Sequence, residues 1–186
     1  DSNGMPPGVL ESVRVVPYND VEALREVLER EGSNVAAFIL EPVLENVGII
    51  MPQPGYMADV RELCDKHGVL LIFDEVKTGL TASYNGAAGL YKVTPDLTIL
   101  AKSIGGGLPI GAFGGREDVM RSLERGAVHH GTYNANPLVL AATKATLDLC
   151  SKEVLDDVFE RNSVFSSEVR DILAAINGAV PVDVTK

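Results

Sequence analysis

The stretch Val69-Leu70-Leu71-Ile72-Phe73-Asp74-Glu75-Val76 carries an unbroken apolar run straight into two carboxylates. A short continuous run of this kind reads as a strand covered on both faces, as strands are in a parallel sheet. The same pattern recurs on either side. Upstream, residues 35–40 are apolar and end in Glu41-Pro42. A Pro/Gly-rich loop and a helical segment at 57–67, stopped by Gly68, separate the two runs. Downstream, residues 97–100 form a third run that leads through Ala101 into Lys102. Strand, helix, strand in this order is a crossover unit, so the expected class is α/β with a mostly parallel sheet flanked by helices.

Further outward, Asp20 is placed to cap a helix over 21–31, whose Val21, Leu24, Val27 and Leu28 make one apolar stripe before Gly32 ends it. A loop containing Gly79, Gly86 and Gly89 leads to the third strand, and residues 111–114 read as a short fourth. Helices are expected at 117–124, 137–149 and 154–176, with no internal repeat or low-complexity segment.

The chain has 186 residues, 46% hydrophobic and 23% charged, enough for one domain with a substantial core. A net charge of -10 argues against nucleic acid or an anionic membrane as a partner through bulk electrostatics, so any bound anion needs a local site. Cys64 and Cys150 lack C-x-x-C spacing and are expected to be buried, reduced thiols. No apolar run approaches the roughly 18 residues of a membrane span, and no basic-then-apolar leader opens the sequence. The expectation is a soluble, cytoplasmic protein. The opening Asp1-Ser2-Asn3-Gly4, without an initiating methionine, suggests a piece of something longer.

In open α/β sheets ligands bind at the carboxyl ends of the strands. Here those ends offer Glu41, Asp74 with Glu75, and Lys102. Lys102 precedes Gly105-Gly106-Gly107, a setting in which close backbone approach is expected to desolvate the amine and make it nucleophilic towards an aldehyde cofactor. The strand period of two puts Asp74 and Val76 on one face if extended geometry persists through Glu75, a carboxylate beside a flat β-branched surface. Gly131-Thr132-Tyr133-Asn134-Ala135-Asn136-Pro137 is a polar turn ahead of a helix with Asn136 as N-cap and Pro137 at its first position, which suits a phosphate. Glu75 reads as structural, and Glu41 stands open between the site and a loop contact. The glycine triplet is not a dinucleotide fingerprint, since G-x-G-x-x-G would need glycine at Ile110, and no G-K-[ST] is present. His129-His130 reads as a pair of local polar contacts rather than a metal site.

Four blocks, in order, resemble the class III pyridoxal-phosphate aminotransferases: Glu41-Pro42-Val43; Leu71-Ile72-Phe73-Asp74-Glu75-Val76-x-Thr78-Gly79; Lys102-x-Ile104-Gly105-Gly106-Gly107-x-Pro109-x-Gly111-Ala112; and Gly131-Thr132-x-x-x-Asn136-Pro137. Within that family, Pro17-Tyr18-Asn19-Asp20 and Gly111-Ala112-Phe113-Gly114-Gly115-Arg116 look most like the glutamate-1-semialdehyde 2,1-aminomutases. The resemblance implies part of the large domain of the fold type I, aspartate aminotransferase-like transferases. Pyridoxal 5'-phosphate is the implied cofactor, bound as an internal aldimine on Lys102, which is anchor and base. Asp74 is implied to pair with the pyridine nitrogen, Val76 to pack on one ring face, and Gly131 with Thr132 to bind the cofactor, Thr132 through its phosphate from the neighbouring subunit of a homodimer with shared active sites. The implied substrate is a small amino acid, amine or keto acid.

Leu80-Thr81 and Asn134-Ala135 depart from the family pattern, which leaves aminomutase and transaminase both open. The resemblance further implies a central fragment. Residues 1–150 would be part of the cofactor-binding large domain, and 151–186 a helix leading to a C-terminal small domain absent from this chain. On this reading the isolated chain binds pyridoxal phosphate weakly and turns over nothing. The alternative is a non-catalytic scaffold or interaction fragment that keeps the fold, against which the joint presence of Asp74, Lys102 and Thr132 counts.

Overall fold

A computed structural model describes residues 3–176. Its strands are β1 (Ala37–Leu40), β2 (Leu70–Asp74), β3 (Leu97–Ala101) and β4 (Gly111–Gly115). Its helices are α1 (Pro7–Glu11), α2 (Val21–Glu31), α3 (Tyr56–His67), α4 (Gly86–Tyr91), α5 (Glu117–Met120), α6 (Pro137–Leu149) and α7 (Lys152–Ala175). Residues 177–186, within the segment expected to lead to a further domain, lie outside the described residues.

Local chemistry accounts for the boundaries. The Asp20 carboxylate accepts from the Ala23 N–H at 2.9 Å and starts α2. Gly68, at φ +67°, adopts the left-handed conformation that closes α3, a conformation glycine takes without steric cost. Asn136 accepts from the Leu138 and Val139 N–H groups, with Pro137 in the first turn of α6.

The strands lie in the order β1-β2-β3-β4, the first three parallel and β4 antiparallel to β3. Phe73 sits beside Thr98 and Asp74 beside Ile99 in the β2–β3 register. The chain is therefore α/β with a mostly parallel sheet, as expected.

One face of that sheet is covered. Leu24 and Leu28 of α2 and Met57, Val60, Leu63 and Cys64 of α3 form one cluster with Leu40, Leu71 and Phe73 from the strands. Each such side chain, fully buried, stabilises by roughly 1.5–3 kcal/mol. The opposite face is open, in contrast to the two-sided cover expected of the strands. Ile39 is 55% exposed and Phe113 is 44% exposed there, because α2 and α3 both pack on the first face. Helix α6 packs against the turn after β3. By strand alternation Asp74 belongs to the open face, with Leu70 and Ile72.

Three local expectations shift. Residues 86–91, read as loop, form α4. The helix expected over 117–124 is α5 followed by a single 3-10 turn, Arg121–Leu123. Residues Val35 and Ala36 precede β1 rather than belonging to it. Among the described residues no helix is long and apolar enough to cross a membrane.

Candidate active site

Two turns at the carboxyl ends of β2 and β3 hold the candidate chemistry. Asp74 is the last residue of β2 and is half-buried. Its Oδ1 accepts from the Val76 N–H at 3.0 Å, while its Oδ2 accepts from no described residue. The extended geometry thus ends at Asp74 rather than running through Glu75. Val76 stands beside the carboxylate because an Asx-type turn folds it there, not because of strand alternation.

Glu75 turns the other way and is 2% exposed. Its carboxylate accepts from the N–H groups of Ala87 at 2.5 Å and Ala88 at 3.0 Å, and from the Thr78 hydroxyl at 3.1 Å. A buried carboxylate so placed satisfies the first donors of α4 and complements its dipole, and it fixes the turn that carries Asp74 and Val76. The structural reading of Glu75 agrees with this arrangement.

Lys102 begins a 3-10 turn, Lys102–Gly105, at φ +47°, a conformation rare outside glycine and enriched at functional sites. Its side chain is exposed and meets no described hydrogen-bond or ion-pair partner. The expected desolvation of the amine is therefore corrected. The glycines that follow serve other contacts: a Cβ on Gly105 would lie 2.9 Å from Ile110 Cγ2, and one on Gly106 would lie 2.3 Å from Thr146 Oγ1 of α6. Their close approach is to α6 and the chain's own return, not to the lysine. The next residue joins the two turns, since the Ser103 hydroxyl donates to the Gly79 carbonyl at 2.8 Å. Thr78 stands in one of the family blocks without a role assigned to it, and Ser103 is not marked by the sequence at all, because a hydroxyl's partner 24 residues away leaves no local pattern.

Gly131 and Thr132 are exposed in the turn ahead of α6, and among the described residues no hydrogen bond ties them to Asp74, Val76 or Lys102. Asn134 Nδ2 lies 3.3 Å from His129 Nε2, and the His129 ring meets Phe113 edge-on at 5.1 Å. Among the described residues no cluster of His, Cys, Asp and Glu could hold a metal. Glu41 is half-buried and lines an apolar cavity of about 1080 Å³ between segment 11–16, α2 and β1. Cys64 is buried and Cys150 only half-buried, both as free thiols, so the expectation of burial holds for one of the two.

The family model for class III aminotransferases matches residues 7–180. This chain belongs to the class III aminotransferases. It is 45% identical over 174 residues to a glutamate-1-semialdehyde 2,1-aminomutase of Desulfovibrio desulfuricans, spanning 92% of this chain and 41% of that relative. Its fold matches an omega-transaminase from Sphaerobacter thermophilus with TM-score 0.81 and 33% identity, over 92% of this chain and 39% of that one. A transaminase solved with pyridoxal phosphate bound matches with TM-score 0.81 and 32% identity, over 92% of this chain and 41% of that one. This class III chain thus spans about two fifths of the length of the relatives it matches.

The aminotransferase donor set suits that cofactor. A primary amine, a carboxylate with one uncommitted oxygen and a β-branched surface gather at one sheet edge, and these are groups an aldehyde, a pyridinium N–H and a flat ring would meet.

Proposed function

We propose that this chain is the central part of a pyridoxal-phosphate enzyme that moves an amino group, as a transaminase or as a glutamate-1-semialdehyde 2,1-aminomutase. The observation that carries the reading is the placement of Asp74 and Lys102 at the carboxyl ends of adjacent parallel strands, with one Asp74 oxygen uncommitted. Bound pyridoxal phosphate supplies an electron sink that stabilises negative charge on the substrate carbon. Asp74, through the oxygen not bonded to Val76, would hold the cofactor's ring nitrogen and favour its protonated form. Lys102 Nζ would be the amine that holds the cofactor's aldehyde carbon, and once free it would serve as the base that moves a proton at the substrate carbon. Val76 is offered to a ring face.

Gly131 and Thr132 bind the cofactor, Thr132 through its phosphate from the partner subunit of a cytoplasmic homodimer, a reading supported by the exposure of both residues in the turn ahead of α6. Residues 1–150 belong to a large domain, and 151–186 lead to a small domain outside this chain, which the 41% coverage of the relative supports. The substrates are small amino acids, amines or keto acids.

The test adds pyridoxal phosphate to the complete protein containing this chain and follows the yellow absorbance of a lysine-bound cofactor. Glutamate-1-semialdehyde and a panel of amino donors are then offered. Colour that depends on Lys102, bleached by an amino substrate, supports the reading; colour that survives Lys102→Ala overturns it.

A further inference from the structure

The sheet sets Asp74 and Lys102 on neighbouring strands, but both residues lie where their strands stop, and each is followed by a turn of its own. Asp74 is succeeded by 75–79, and Lys102 starts its own 3-10 turn. Among the described residues, one side-chain hydrogen bond ties the first turn to the second. The Ser103 Oγ–H donates to the Gly79 carbonyl at 2.8 Å, half-buried.

The far side of that bond is rigid. The Gly79 N–H donates to the Glu75 carbonyl at 2.9 Å, and a Cβ on Gly79 would stand 2.6 Å from Leu100 Cδ2 and 2.9 Å from that same carbonyl oxygen. Thr78 is bonded to the Glu75 carboxylate, itself buried and capping α4. The near side is under strain, because the residue next to Ser103 holds φ +47° without being glycine, a conformation that the surroundings must hold in place.

We infer that Ser103 is a positioning residue: through the Gly79 carbonyl it holds the Lys102 turn in register with the turn that carries Asp74 and Val76, and so sets the reach of the lysine amine. The inference rests on the pyridoxal-phosphate reading above. It assigns Ser103 no contact with cofactor or substrate.

The experiment uses the complete cofactor-loaded protein and four forms: wild type, Ser103→Ala, Ser103→Cys and Ser103→Thr. Three readings are taken, namely cofactor affinity, the pH at which the yellow absorbance titrates, and thermal stability. Ser12→Ala, which removes a 2.7 Å hydroxyl-to-carbonyl bond in an exposed segment, serves as control. Ser103→Ala is expected to weaken cofactor binding about fivefold and to displace the absorbance titration, as loss of one half-buried hydrogen bond does. Ser103→Thr restores both and Ser103→Cys, a weaker donor, falls between, so the Thr and Cys forms decide the matter even if the alanine form folds badly. Lowered thermal stability with unchanged affinity and titration would show a merely structural serine and overturn the inference alone. A wild-type protein that takes up no cofactor on Lys102 would overturn it together with the reading beneath it.

Discussion

Glu75 Oε2 lies 2.2 Å from the point where a Cβ on Gly86 would stand. Gly86 itself is at φ +64°. A buried carboxylate can reach the first N–H groups of α4 only past a residue without a side chain, so Glu75 and Gly86 form one structural unit. Gly86→Ala is expected to cost about 2–3 kcal/mol, from the left-handed backbone and from a carboxylate that three hydrogen bonds keep from moving aside. A urea midpoint equal to wild type would contradict this.

Adjacent glycines of β4 give a sharper contrast. A Cβ on Gly115 would lie 2.0 Å from the Asp96 carbonyl oxygen and 2.8 Å from Leu97 Cα, backbone atoms that only a parting of β3 from β4 could clear. A Cβ on Gly114 meets nothing within 4 Å. Gly115→Ala should destabilise by about 3 kcal/mol, and Gly114→Ala should stay within about 0.5 kcal/mol of wild type. Calorimetric melting of the two variants side by side checks it.

Acid stability should trace to Asp96. Burial pushes its carboxyl up, but the Leu71 N–H at 2.7 Å and the Arg61 and Arg116 guanidinium groups at 2.9 and 2.6 Å together outweigh it and hold the carboxyl below the usual carboxylate range. A folded-state value below the unfolded one gives stability that is complete above about pH 4 and lost as pH falls through the folded value. Asp96→Asn should therefore melt lower at neutral pH, by about 2–3 kcal/mol, with the difference shrinking below about pH 4. A difference that does not narrow in acid would contradict the account.

The two thiols should react in a fixed order. Burial in the α2–α3 core pushes the Cys64 thiol up to about 11, while Cys150 is half-buried at the end of α6. Under native conditions at mildly alkaline pH an alkylating reagent should label Cys150 first and reach Cys64 only on unfolding. Equal labelling rates measured by peptide mass would mean that the core is not packed as described.

Much of this was legible in the sequence, for physical reasons that vary by element. Apolar runs ending in a charged residue marked β1 to β3, in Glu41, in Asp74 with Glu75 and in Lys102, and Asp20, Gly68 and Asn136 marked helix ends, because strand burial and capping act over a few residues. Helix α4 was not legible: Gly86-Ala87-Ala88-Gly89 carries two glycines, and its N-terminus is satisfied by Glu75, outside any local window. The exposure of Lys102 was hidden for a related reason, since the same glycines that permit close approach to a lysine here permit it to Thr146. Strand order alone puts Asp74 and Lys102 at the carboxyl ends of neighbouring strands, whereas the turn that brings Val76 beside Asp74 required the structure. The Ser103–Gly79 bond, a contact between two turns, required the structure.

The central claim is that Lys102 is the amine that carries the cofactor. Borohydride reduction of the complete protein incubated with pyridoxal phosphate, followed by proteolysis and mass mapping, tests it most directly. The account predicts a single pyridoxyl addition on the peptide bearing Lys102, abolished in Lys102→Ala. Addition spread over exposed lysines such as Lys92 and Lys144, or unaffected by Lys102→Ala, would contradict it.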